Sequence, residues 1–181
     1  MRTINKVAVG LAFLSLVSMK AVAAVDSETE TASKNLGASM VTEISFDEGQ
    51  SALNDSAKEE IRGLIKSAKE SGKIDELKVA AWADREYPAK DTKASKSDID
   101  LAKKRGENIK SFVKKELSVN DVNTYNMTER PNALQKFFKT PTEKTKTALE
   151  QSGSAPKTQD ETGFFGQKAK ASKAVIMVYM E

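Results

Sequence analysis

Apolar and polar residues alternate twice along the first half of this chain, and each alternation is followed by a stretch of helical spacing. Thr42, Ile44 and Phe46 alternate with Val41, Glu43 and Ser45, which predicts a short strand with one apolar face ending at Asp47-Glu48-Gly49. From Leu53 the apolar positions become Ala57, Ile61, Leu64, Ile65 and Ala68. They fall on one stripe of a helix, closed by Gly72. Leu77, Val79, Ala81 and Ala83 then alternate with Lys78, Ala80, Trp82 and Asp84, a second strand ending at Asp84. A polar, lysine-rich stretch with Pro88 inside it makes residues 85–97 a loop.

A second amphipathic helix is predicted over residues 98–117, with Leu101, Ile109, Phe112, Val113 and Leu117 as its buried stripe and a solvated lysine face opposite. Val122 and Tyr125 suggest a weaker third strand within 119–127. Thr140-Pro141-Thr142-Glu143 places an N-cap threonine before proline and glutamate, so a helix is expected over 141–151. Residues 152–170 read as a second long loop carrying Gly163-Phe164-Phe165-Gly166. The unbroken apolar run at 174–180 suits a strand covered on both faces. The order βαβαβαβ predicts an α+β fold, an α/β sandwich with helices packed on a four-stranded mixed sheet.

The N-terminus changes the cellular picture. Arg2 and Lys6 precede an apolar run over 7–19, and Ala21-Val22-Ala23 supplies the small residues of a cleavage site. Residues 1–23 therefore read as an export signal. Their apolar run falls short of the about 20 residues that span a bilayer, so no transmembrane segment is expected in the mature chain. Residues 24–39 carry Asp26, Glu28 and Glu30 among Ser, Thr and Ala, and read as a flexible tail. Residues 40–181 form the domain, with loop insertions at 85–97 and 152–170.

The whole chain has 29 basic and 26 acidic residues. Removing Arg2, Lys6 and Lys20 with the signal leaves the mature chain formally neutral, which argues against nucleic acid as a partner. The sequence contains neither cysteine nor histidine. Disulfides, thiolate metal sites, thiol catalysis, histidine triads and histidine-held zinc are excluded, and no lipid-modified cysteine follows the signal. No metal and no cofactor are expected. Ser111-Phe112-Val113-Lys114 matches the Ser-x-x-Lys of acyl-serine enzymes, but no companion Lys-Thr-Gly or Ser-Asp-Asn accompanies it. The reading is non-catalytic.

Three local patterns carry a family resemblance. Ile44-Ser45-Phe46 ends the first strand, Ala81-Trp82-Ala83-Asp84 ends the second, and Asp98-Ile99-Asp100-Leu101-Ala102-Lys103-Lys104-Arg105-Gly106 opens the following helix. Together with Glu129-Arg130-Pro131 after the third strand, they resemble the C-terminal domain of outer membrane protein A. That peptidoglycan-binding module also occurs in peptidoglycan-associated lipoproteins and flagellar stator proteins. The resemblance covers residues 41–127 and 174–180.

In that family the second strand ends in a Gly-His-Thr-Asp-like motif, and the helix carries Asn-x-x-Leu-Ser-x-x-Arg-Ala. The resemblance implies non-covalent binding of peptidoglycan through the diaminopimelate of its stem peptide. Asp84 would hold the ligand ammonium and Arg105 its carboxylate in a charge-assisted pair, with Asp98 and Trp82 as further candidates. The departures lie around the ligand site: Ala81 and Trp82 replace glycine and histidine, and Asp98, Ala102 and Gly106 replace asparagine, serine and alanine. The loop from Asp84 to the helix is also longer than usual. The alternative is a related fold that has lost the wall ligand and serves as a periplasmic protein-interaction or envelope-stress domain with an envelope protein as partner. Either reading implies a soluble periplasmic location, with outer-membrane association as a second possibility.

Overall fold

The computed structural model describes residues 25, 27–85, 94–128 and 172–181. The expected export signal, most of the expected 85–97 loop, Glu129-Arg130-Pro131, and the helix and loop expected over 141–151 and 152–170 fall on residues outside those described.

In chain order the described elements are α1 (Ser27–Asn35), β1 (Met40–Ser45), α2 (Asp55–Ser71), β2 (Ile74–Ala81), α3 (Lys96–Leu117), β3 (Val122–Asn126) and β4 (Lys173–Met180). The strands form one mixed sheet in the order β1-β4-β2-β3. β4 runs antiparallel to β1, with Ile44 opposite Ala174, and antiparallel to β2, with Val79 opposite Ile176. β2 and β3 are parallel, with Leu77 opposite Val122. The fold class is α+β with a four-stranded mixed sheet, as the alternation of patterns predicts.

The alternation along β2 and β4 separates two cores. Leu77, Val79, Ala81, Ile176 and Val178 face α2 and α3, where they meet Ile61, Ile65, Ile109, Phe112 and Val113. Ala80, Trp82, Val175 and Met177 belong to a second cluster with Met127 and Ala32 of α1. β4 is an inner strand buried on both faces, which explains its unbroken apolar run.

The helix ends follow from side-chain caps. Asn54 accepts a hydrogen bond from the Ala57 amide at 2.8 Å and starts α2, and the Gly72 amide closes it on the Ala68 carbonyl. Ser95 accepts from the Asp98 amide at 3.1 Å and donates to the Asp98 carboxylate at 2.7 Å. The cap at Ser95 starts α3 at Lys96, ahead of the residue 98 predicted from the apolar stripe, because capping residues carry no apolar signal. β2 likewise begins at Ile74 and ends at Ala81, which leaves Asp84 beyond the strand.

The expectation of a flexible tail over 24–39 is corrected by α1. Ala32 and Ser33 are fully buried, and the Ser33 hydroxyl donates to the Thr29 carbonyl at 2.7 Å. The helix closes with the Ala38 amide on Ser33 O and the Gly37 amide on Lys34 O, and Gly37 takes the left-handed φ of 85° that this double bond requires. Small Ser, Thr and Ala side chains look solvated in composition but permit close packing of a helix on a sheet. Among the described residues no helix is long and apolar enough to cross a membrane.

Candidate functional site

Asp84 and Arg105 come together at one end of the sheet. Asp84 follows β2, Arg105 lies on α3, and Arg105 Nη2 donates to Asp84 Oδ1 at 2.5 Å. The Arg105 side chain is 0% exposed and that of Asp84 is 15% exposed. A buried guanidinium must find acceptors for its donors, and this one does. Nε donates to the Gln50 carbonyl at 2.8 Å, Nη1 to the Trp82 carbonyl at 3.0 Å and Nη2 also to the Asp47 carbonyl at 3.2 Å. The ring of Phe46 lies beneath the guanidinium, its centroid 4.7 Å from Cζ.

Asp84 is equally engaged. Its Oδ2 accepts from the Gly49 amide at 2.6 Å and its Oδ1 from the Ser172 hydroxyl at 2.8 Å. Burial pushes its carboxyl pKa up. Hydrogen bonds from Arg105, Ser172 and Gly49, with the charge of Arg105, outweigh burial and hold the group below its ordinary value of 3.8. At neutral pH the site is an ionised, partly exposed carboxylate backed by a buried cation.

The other two sequence candidates occupy different settings. Asp98 is in the first turn of α3, where its amide and carboxylate both bond the Ser95 hydroxyl. Trp82 is fully buried in the α1-side cluster, and among the described residues its Nε1 has no hydrogen-bond partner. It reaches the charged pair through its backbone carbonyl, while its ring packs in the core. The sequence does not mark Phe46, Gln50, Asp47, Gly49 or Ser172 as part of the site: Phe46 carries only the signal of a core residue, the three turn residues contribute backbone atoms that no residue type announces, and the Ser172 hydroxyl comes from a position 88 residues beyond Asp84.

A separate groove of about 860 Å3 lies between β1 and α2, lined by Val41, Thr42, Asp55, Glu59 and Leu64 among others. It includes none of the four candidates. Among the described residues no group of acids is placed to hold a metal ion.

No protein-family model matches the chain, and no curated protein matches it. Among solved structures it is similar to the OmpA-like domain of FopA1 from Francisella tularensis subsp. tularensis SCHU S4. The identity is 10%, the match covers 77% of this chain and 72% of that one, and the TM-score is 0.42.

Proposed function

We propose that this chain is an exported, non-catalytic module of the bacterial cell envelope that holds peptidoglycan non-covalently through the diaminopimelate of its stem peptide. The observation that supports this reading is the meeting of Asp84 and Arg105, 21 residues apart in sequence, at one end of the sheet. Their charges suit the two ends of an amino-acid ligand. In the arrangement described, Asp84 is the partner of the ligand ammonium. Arg105 stands behind it, keeps it ionised, and offers its fork to a carboxylate once that fork is released.

The test is co-sedimentation of the mature protein with purified sacculi. Wild type is expected to sediment and Asp84→Ala to stay in the supernatant, with affinity reduced at least about tenfold for the lost charge-assisted bond. Equal sedimentation of the two removes Asp84 from the account.

A second reading is favoured by the burial of Arg105 and its bonds to three backbone carbonyls. In it the pair is a structural clasp, the wall ligand has been lost, and the domain serves an envelope protein. Wild type remaining in the supernatant, with free diaminopimelate leaving its spectra unchanged, selects this reading.

A further inference from the structure

The turn between β1 and α2 meets the charged pair with a particular polarity. It presents one N–H donor, from Gly49, to the carboxylate of Asp84 at 2.6 Å. It presents two oxygen acceptors, the carbonyls of Gln50 and Asp47, to the guanidinium of Arg105 at 2.8 and 3.2 Å. A donor on the acid and oxygens on the base is also what the ammonium and carboxylate of an amino acid would present.

We propose that residues 47–51 are an internal stand-in for the ligand, so that the site is closed at rest and opens to an ammonium-and-carboxylate ligand only when this turn swings away. The inference rests on the wall-binding reading above and adds its regulation. The turn satisfies the buried guanidinium while no ligand is present, which an open site would leave unpaired at a cost in stability. Among the described residues its other bonds are the Gln50 amide on Asp47 O at 3.0 Å, within the turn itself, and Asn108 Nδ2 on Ser51 O at 2.8 Å and on Ser51 Oγ at 3.5 Å. Its residues from 47 to 50 are exposed, so displacement uncovers little apolar surface.

Gly49 supplies a selective handle. Its φ of +71° lies in the left-handed region, and a Cβ there would meet no atom within 4 Å. Gly49→Ala therefore strains the closed turn without touching Asp84, Arg105 or the core. Asn108→Ala, on the exposed side of α3, loosens the turn by another route and leaves its backbone conformation alone.

Because apparent affinity scales with the open fraction, Gly49→Ala is expected to bind about fivefold tighter or better, and Asn108→Ala about two- to fivefold tighter. The experiment measures binding of free meso-diaminopimelate and of purified sacculi by the mature wild type, both variants and Asp84→Ala, with amide hydrogen exchange followed at residue 49. Tighter binding by both variants, with faster Gly49 exchange when ligand is added, is the expected result. Equal or weaker binding by the variants, lost in Asp84→Ala, with Gly49 protected throughout, overturns the stand-in and leaves wall binding intact. No binding by wild type or either opened variant defeats the wall-binding reading itself, and the stand-in with it.

Discussion

Arg105 shows what a single residue can tie together. Its side chain bonds the turn after β1 at Asp47 and Gln50, the end of β2 at Trp82, and the carboxylate of Asp84. Lysine keeps the charge but has no planar fork to reach these acceptors at once. Arg105→Lys is expected to cost about 2–4 kcal/mol of stability in urea denaturation, toward the range for breaking a buried ion pair. Asp84 makes a pH-dependent contribution. Its folded pKa lies below the ordinary 3.8, so the folded state favours the ionised form. That stability is present above the ordinary pKa and is lost as pH falls through the folded value. Asp84→Asn is therefore expected to be less stable than wild type at pH 6, with the gap narrowing below about pH 4 in denaturation series. The pairing of these two residues was legible in the sequence because two side-chain types stood at recognisable positions. The closure of Arg105 was not legible, since three of its partners are backbone carbonyls.

Elements with strong periodicity match the pattern that predicts them, and the discrepancies gather at their ends and at small residues. α2 follows its apolar stripe, whereas α3 begins at a serine cap that an apolar pattern does not register. α1 leaves no apolar stripe in the sequence because its buried positions include Ala32, Thr29 and Ser33 rather than large aliphatics. Gly106 marks where α3 approaches the sheet. A Cβ there would lie 3.4 Å from Thr124 Cβ and 3.8 Å from Ala81 Cβ, ordinary contact distances. The site accepts one methyl group and little more. Gly106→Ala is expected to gain up to about 1 kcal/mol of helix stability, raising Tm by about 2–4 °C. Gly106→Leu should instead lower Tm by prising α3 from β2 and β3, as thermal melts followed by circular dichroism would record.

On the scale of the whole molecule, the described helices cover the sheet on both faces. α2 and α3 pack on one face, and Ala32 of α1 with Leu36 just after it joins the cluster around Trp82, Val175 and Met177 on the other. Removing residues 24–36 is expected to cost roughly 2–3 kcal/mol from lost apolar burial. It should also shift the emission of Trp82, the single tryptophan, to longer wavelength, because that ring is fully enclosed in the intact chain. Fluorescence of the truncated protein checks both effects.

The mixed sheet and its α+β class followed from the alternation of patterns, but the strand order did not. Periodicity identifies which residues face a core without saying which strands are neighbours. β4, the last strand in sequence, lies between β1 and β2. Until residues 173–180 have left the ribosome, β1 lacks the strand that pairs with it, and β2 lacks one of its two neighbours. Such long-range pairing is slow to form. A nascent chain of this design can complete its sheet only after synthesis has passed β4, so the last strand made is the one that joins β1 to the rest.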